Sequence, residues 1–201
     1  MVMGKRIATR NIFLLVCIFA ISALLAGCGD VKLGDKVSFD GAASSFSMQM
    51  PSKFSAKMTT LPMAAQLKGL YSTMERADAK DEHYDQSVSH IVIANQMSEA
   101  YTDQQQRTAM LKSFVNSFVT GFQSTSSAEN IEMNKTEAKK IDGNDAMTFD
   151  FNYDLDGSTK QMKGIVVSSG KDLWAVSINM DKGSDKDVVD KSLETLHVKS
   201  K

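Results

Sequence analysis

The sequence predicts an α+β fold in which an antiparallel β-sheet packs against helices. Alternating polar and apolar residues mark several short segments before and after one long segment with a helical apolar stripe. Glycine-containing turn sequences separate the later alternating segments, so neighbouring strands can pair as hairpins. A second helical segment follows the last of these strands. Runs of antiparallel strands with helices between them are typical of α+β domains rather than of parallel nucleotide-binding sheets.

The first predicted strands lie before the long helix. Residues 45–50 alternate polar and apolar side chains, and residues 54–60 are expected to return beside them as a hairpin. Residues 66–77 fit either a helical stripe or a strand, and we favour the strand. Residues 88–97 form a clear alternating strand, in which we expect His90 to be a half-buried packing residue.

The long helix is predicted from Asp103 to Ser124. Thr102 and Gln105 have the spacing of a capping box, which marks its start. Its apolar stripe is wide and therefore needs a large surface, such as a sheet face, to pack on. The stripe consists of Met110, Leu111, Phe114, Val115, Phe118, Val119 and Phe122.

Four strands and a helix are predicted after the long helix. Residues 131–141 and 145–153 flank the turn Asp142-Gly143-Asn144, whose glycine allows a positive φ. Residues 160–169 and 173–180 continue the meander. Ser184 is then placed to cap a final helix, whose apolar residues are Val188, Val189, Leu193 and Leu196.

The first 27 residues have the three parts of an export signal. Lys5, Arg6 and Arg10 form a basic start without acidic neighbours. Residues 12–25 form a largely apolar run, which is shorter than the roughly 20 residues needed to span a bilayer as a helix. An uncleaved N-terminal membrane anchor is the alternative interpretation, and both place the bulk of the chain outside the cytoplasm.

Leu25-Ala26-Gly27-Cys28 resembles a bacterial lipobox, in which a signal peptidase cuts between Gly27 and Cys28. Cys28 would then carry a diacylglycerol and acyl chains as the first residue of the mature protein. Two or more acyl chains suffice for stable membrane anchoring, whereas a single chain is marginal. Residues 28–43 are predicted to be a flexible tether, and residues 44–201 a single domain.

The cysteine content and the net charge exclude several classes of function. Of the two cysteines, Cys17 lies within the export signal, so the mature domain has no thiol for a disulfide, a redox motif or nucleophilic catalysis. Removal of the three basic residues of the export signal leaves 20 basic residues against 24 acidic ones, a net charge of −4. A surface of this charge gives no electrostatic reason to expect nucleic-acid binding.

No catalytic, metal or cofactor site is assigned from the sequence. The histidines are far apart and lie in no metal-binding motif; they are His83, His90 and His197. Residues 82–85 could contact a divalent ion incidentally, although a solvated charged loop is the simpler interpretation. Met48 and Met50 share a strand face as a Cu(I)-binding thioether pair would, but methionine also fills ordinary cores. No nucleophile elbow or phosphate loop occurs.

Several segments together resemble the PsbP-like lipoproteins. They are the lipobox-like motif, the opening strand Phe-Ser-Met-Gln-Met-Pro, the segment Ile141-Asp-Gly-Asn-Asp-Ala-Met147, the strand Leu173-Trp-Ala-Val-Ser-Ile and the ending Ser192-Leu193-Glu194-Thr195-Leu196. This superfamily includes the PsbP subunit of photosystem II, the Ran-binding Mog proteins and the bacterial DcrB lipoproteins. The resemblance implies an antiparallel sheet sandwiched between helices and a partner that is an envelope protein or membrane complex. It carries no active-site residues.

We therefore expect an extracytoplasmic lipoprotein, anchored to the cell membrane or to the outer membrane of a two-membrane bacterium. Its domain is expected to act by binding a protein partner rather than by catalysis. The exposed charged loop predicted at residues 78–86 is the candidate surface, with Asp81, Glu82, His83 and Asp85 as its contact residues. The alternative is a small-ligand or metal carrier with a cavity beneath the long helix. Phe114, Phe118, Met147 and Phe149 would line that cavity.

Overall fold

The computed structural model describes residues 31–63, 67–95, 103–183 and 186–201. The export signal, the lipobox-like motif and Cys28 lie outside the described residues, as do Thr102 and Ser184, which the sequence predicts as helix caps. Within the described ranges, no helix is long and apolar enough to cross a membrane.

The described residues form ten strands and two helices. In chain order these are β1 (Lys36–Asp40), β2 (Ser44–Gln49), β3 (Thr59–Thr60), β4 (Tyr71–Lys80), β5 (Tyr84–Ile93), α1 (Gln104–Ser126), β6 (Glu129–Ile141), β7 (Asn144–Leu155), β8 (Ser158–Ser169), β9 (Asp172–Asp181), α2 (Lys186–Glu194) and β10 (His197–Ser200). The prediction of an α+β fold with antiparallel strands and two helices is confirmed.

The strands form two antiparallel sheets. The larger has seven strands in the order β3-β4-β5-β9-β8-β7-β6, and the smaller has three in the order β1-β2-β10. The meander from β6 to β9 pairs each strand with the next, as the turn sequences predict. β5 then pairs with β9, which joins the strands before α1 to those after it.

Both faces of the large sheet are covered, and successive side chains of a strand alternate between them. Leu173 and Ala175 of β9 pack in the apolar cluster beneath α1. The intervening Trp174 stacks on Phe46 of the small sheet. The second face is therefore covered by the small sheet as well as by α2, which contacts β2 and β8. A sheet lying only between helices, as the resemblance implies, is an incomplete description of this arrangement.

The helix α1 confirms the prediction made from its apolar stripe. It packs chiefly on β7 and β8, with Leu111 and Val115 fully buried. Its N-cap is Asp103, whose carboxylate accepts a hydrogen bond from the Gln106 amide at 2.8 Å. The described cap is therefore this aspartate and not the capping box predicted one residue earlier. After Ser126 the chain turns through Ser127, which has a left-handed φ of 56°.

The start of the domain differs from the prediction. Lys36–Asp40, which the sequence assigns to the flexible tether, form β1 and pair with β2 in continuous register. Val37 is buried there. The ordered domain therefore begins before residue 44, and the tether predicted to extend to residue 43 is too long.

The partner of the opening strand also differs from the prediction. Within residues 54–60 only Thr59–Thr60 form a strand, and they pair with β4 rather than with β2. β2 instead pairs with β1 and with β10, where Ser47 lies opposite His197. The prediction of a hairpin between residues 45–50 and 54–60 is wrong because the neighbour of β2 comes from the far end of the domain.

Candidate functional site

The charged segment predicted as a partner-binding loop is a tight β-hairpin. Asp78 and Lys80 belong to β4, and Asp85 and Gln86 belong to β5, with Lys80 opposite Asp85 in the register. Only residues 81–83 lie outside the strands. Gln86 is fully buried, and its Nε2 donates to Ser52 Oγ at 2.6 Å. An exposed loop over residues 78–86 is therefore wrong in extent, and a rigid hairpin tip takes its place.

Asp81 shapes this tip. Its Oδ1 accepts hydrogen bonds from the amides of His83 and Tyr84, both at 2.8 Å. Burial raises the pKa of this carboxyl, but hydrogen bonds from the Ser52 side chain and from the two amides outweigh that effect and lower it. Asp81 therefore closes the turn and is committed to the fold.

The other three predicted contact residues remain accessible at the tip. Glu82 and His83 are exposed. Asp85 Oδ2 lies 3.9 Å from Lys80 Nζ, and both side chains reach solvent. The tip thus presents Glu82, His83 and Asp85 on a rigid support that Asp81 holds.

A polar cluster lies on the opposite half of β5, around His90. The ring is buried, with Nδ1 3.1 Å from Glu75 Oε2 and Nε2 3.2 Å from Asp172 Oδ1. It stacks on Trp174 with ring centroids 4.2 Å apart. Each ring nitrogen therefore lies within hydrogen-bonding distance of a carboxylate oxygen. The expectation that His90 is half-buried is wrong, because its ring is buried within a polar network.

Asp172 is the centre of this network and is fully buried. Its Oδ2 accepts from the Ala43 amide at 2.8 Å, the Ser44 amide at 2.7 Å and Ser44 Oγ at 2.7 Å, and its Oδ1 accepts from the Ala42 amide at 3.2 Å. Burial raises the pKa of Asp172, but these hydrogen bonds and His90 outweigh it, and the pKa is lowered. The carboxylate thus fastens the β1–β2 turn to the large sheet.

The histidine, aspartate and serine of this cluster are all enclosed. Trp174 Nε1 donates to Ser44 Oγ at 2.9 Å, so the hydroxyl is held between an indole and a carboxylate. His90, Asp172 and Ser44 are each buried. A reacting group must reach its substrate. The geometry therefore supports a structural role, in which the cluster positions the N-terminal strands.

An apolar groove lies on the other face of the large sheet, beside α1. It has a volume of about 190 Å³. Its lining includes three of the four residues predicted for a cavity beneath the long helix, namely Phe114, Phe118 and Phe149; Met147 does not line it. Leu61 and Met74 line it on the side of β3 and β4.

The groove exists because small side chains lie where α1 leaves the sheet. Ser89 of β5 and Ala175 and Ser177 of β9 are among its lining residues. Nearby, the Phe149 ring lies so close to Gly164 that a Cβ atom at that position would overlap it. α1 packs on β7 and β8, and the small residues of β5 and β9 leave space beyond its edge.

The methionine pair at the end of β2 and just after it is buried in the core. Met48 and Met50 are both fully buried, as the strand alternation predicts. Met147 and Met180 are buried as well. These positions favour the packing interpretation of the methionines. Among the described residues, no group of three or more histidine, cysteine, aspartate or glutamate side chains is arranged to hold a metal ion.

No protein-family model and no curated protein matches the sequence. Among solved structures, the chain is similar to cyanobacterial PsbP from Synechocystis, with a TM-score of 0.46 and 14% identity over 86% of this chain and 97% of that one. It is similar to LpqN, a Mycobacterium tuberculosis protein involved in cell envelope biogenesis, with a TM-score of 0.38 and 11% identity over 82% and 91% of the chains. A Pseudomonas aeruginosa protein of unknown function has a TM-score of 0.40 and 11% identity over 81% and 96%. These TM-scores are all below 0.5, so none of these likenesses assigns a function to this chain.

Proposed function

We propose that this protein is a lipid-anchored extracytoplasmic binding module whose partner is an envelope protein or a membrane complex. The lipobox-like motif at Leu25-Ala26-Gly27-Cys28 supports the anchor. The hairpin tip carries the binding proposal, because Glu82, His83 and Asp85 are accessible on a turn whose geometry is set by Asp81. Charged side chains on a backbone that is already fixed lose less conformational entropy when they bind a partner.

The charge of the tip indicates the kind of partner surface. Glu82 and Asp85 add two negative charges to the one on Asp81, against the positive charge of Lys80. A surface with exposed basic residues would complement this tip and would accelerate the encounter. The proposed partner therefore presents lysine or arginine side chains at its contact site.

The anchor is tested by replacing the proposed lipid carrier. Cys28→Ser should prevent acylation, because the diacylglycerol would be joined to the cysteine sulfur, and variant protein cleaved after Gly27 should leave washed membranes. Mass spectrometry of the unchanged protein should find acyl groups on Cys28. An unmodified cysteine, or a variant that stays membrane-bound after cleavage, contradicts the lipid anchor.

The binding proposal is tested by crosslinking the lipidated protein in its native membrane and identifying the products by mass spectrometry. We expect one dominant protein partner. The variant with Glu82, His83 and Asp85 all replaced by alanine should lose it. Its matched control replaces Glu129, Glu132 and Glu137, three exposed charged residues of the distant strand β6, and should keep the partner. Asp81 is left unchanged because it holds the turn. Equal crosslinking by both variants would remove the tip from consideration.

A second candidate function is that of a small-ligand carrier. The specific observation in its favour is the groove of about 190 Å³ with its phenylalanine lining. Ligand sites are typically concave and mostly apolar, with a few polar groups that fix orientation. Co-purification of a small molecule with the lipidated protein, in the absence of a protein crosslink, would favour this candidate over the first.

A further inference from the structure

We propose that the groove beside α1 binds a small apolar carboxylic acid, with its ring or short branched chain between Phe114 and Met74 and its carboxylate at Arg76. This inference rests on the ligand-carrier candidate and gives it a ligand class. It does not depend on the hairpin tip.

The size of the groove limits the apolar part of the ligand. An apolar cavity of roughly 150 Å³ lined by leucine, isoleucine and phenylalanine side chains stays dry and binds benzene. The groove, at about 190 Å³, has room for one such ring with a short substituent. Sites for drug-sized molecules usually occupy roughly 300–1,000 Å³, so a larger ligand would not fit inside.

The lining favours an aromatic or branched group. Phe118 and Phe149 present tilted rings whose centroids are 5.3 Å apart, and Phe114 continues this wall along α1. Leu61 is 36% exposed at the groove, so a ligand can cover apolar surface that solvent now contacts. Burial of that surface provides the main attraction. Ser89 and Ser177 add hydroxyl groups among the small lining residues.

Arg76 supplies the charge that selects an acid. It lines the groove from β4, and its Nε donates to Asp78 Oδ1 at 2.6 Å. Glu75 also lines the groove, but its Oε2 lies 3.1 Å from His90 Nδ1, so its carboxylate is already engaged by that ring. The bond to Asp78 uses one of the five guanidinium N–H donors, and a planar guanidinium can bind a carboxylate through two of the others. The Arg76 and Asp78 side chains are each about half exposed. The expected preference for an acid over a neutral analogue is therefore only about fivefold, within the range of solvent-exposed ion pairs.

Binding is tested by NMR titration of the lipidated protein in nanodiscs, with empty nanodiscs as the blank. Benzoate and benzyl alcohol are the probes, since they share a ring and differ in charge. We expect both to bind, and benzoate about fivefold more tightly. Arg76→Gln should weaken benzoate to the level of benzyl alcohol and leave the alcohol unchanged. If this variant weakens both probes equally, or neither of them, the assignment of the carboxylate to Arg76 is wrong.

The position of the ring is tested by filling the groove. Ala175→Phe should abolish binding of both probes, and Ser177→Leu is a smaller filling variant in case the first does not fold. Failure of both probes to bind the unchanged protein, or unaltered binding by a folded filling variant, would overturn the proposal. The triple alanine variant at the hairpin tip should bind benzoate normally, so loss of the protein partner and loss of the ligand site can be told apart.

Discussion

The two faces of the large sheet are built from different chemistry. On the face covered by the small sheet, a fully buried carboxylate, Asp172, accepts hydrogen bonds from the β1–β2 turn and meets His90. On the face covered by α1, apolar side chains pack together and leave a groove at the edge of the helix. The first face therefore depends on directional bonds that tolerate little change, whereas the second has space in which a side chain or a ligand can fit.

The largest expected effect comes from removing the central carboxylate. Asp172→Ala would leave the amides of Ala43 and Ser44 and the His90 ring without their acceptor. Breaking a buried ionic contact costs about 3–5 kcal/mol, because the remaining groups stay buried and unpaired. Urea unfolding should show this loss in the free energy of unfolding.

The control for this change is Asp40→Ala on β1. The Asp40 side chain is 82% exposed and lies 3.4 Å from Lys201 Nζ. Its removal should change the free energy of unfolding by less than about 1 kcal/mol, as is usual for surface ion pairs. If both variants lost the same free energy of unfolding, the hydrogen bonds of Asp172 would contribute no more to stability than a surface ion pair.

Adding one methyl group at two glycines should give effects of opposite sign. A Cβ atom at Gly41 would lie 2.5 Å from Asp172 Oδ2 and 2.8 Å from His90 Nε2, so Gly41→Ala should destabilise by about 1–3 kcal/mol through overpacking. Gly121 in α1 has open space around the same position, and Gly121→Ala should stabilise by about 1 kcal/mol. Thermal unfolding of the two variants measures both. A stabilising Gly41→Ala would show that the β1–β2 turn is loosely held.

Asp145 is a second buried carboxylate, and its substitution separates its share of the acid sensitivity of the fold from that of Asp172. Asp145 lies 2.6 Å from Arg107 Nε and 2.5 Å from Lys140 Nζ, and Arg107 belongs to α1. Burial raises the pKa of Asp145, but hydrogen bonds and charge from Lys140 and Arg107 outweigh that effect and lower it. A carboxyl with a lowered folded pKa stabilises the fold above its ordinary value of 3.8 and loses that contribution as the pH falls through the folded pKa.

Stability should therefore fall as the solution is acidified below about pH 4. Asp145→Asn should lower the free energy of unfolding at pH 7 by about 1.5–3 kcal/mol, the loss expected for a hydrogen bond to a charged group, and should make the decline toward pH 3 shallower. Urea midpoints at pH 7, 5 and 3 measure this. Because Arg107 and Lys140 are partly exposed, added salt should reduce the effect of Asp145→Asn. An acid decline of unchanged steepness in this variant would contradict the assignment.

The parts of the fold that follow local periodicity were predictable from the sequence. The stripe of α1 and the alternation of β2 and of β7–β9 depend on neighbours a few residues apart. The pairing of β2 with β10 could not be predicted, because Ser47 and His197 carry no local signal that they meet. For the same reason β1 was assigned to the tether, since its short sequence gains its partner only when β2 is in place.

The candidate sites likewise combine features that local sequence predicts with features that depend on distant residues. Charge density predicted an exposed loop over residues 78–86, of which Glu82, His83 and Asp85 do reach solvent, but it could not tell a loop from the end of a hairpin. Asp172 comes at the end of the turn sequence Ser169-Gly170-Lys171-Asp172 and resembles any surface aspartate, although three amides of the folded chain donate hydrogen bonds to it. Phe114 and Phe118 were predicted at the groove because both lie on the stripe of α1. Met74 was not, because its segment fits either a helix or a strand, and Leu61 was not, because it lies between two predicted segments.

The smallest expected effect is that of a substitution at the groove, and making the same substitution on the other face compares the two faces directly. Ala77 and Ala175 both lie on central parts of their strands, but Ala77 is buried opposite Val88 whereas Ala175 lines the groove. Ala77→Val should destabilise by about 1–3 kcal/mol, because a close-packed site has no room for two more carbon atoms. Ala175→Val should change the free energy of unfolding by less than about 0.5 kcal/mol, since its added atoms enter open space. Urea unfolding of the pair measures the difference. Equal destabilisation would mean that the groove closes around its own side chains in solution, and the contrast between the two faces would then lie only in their polarity.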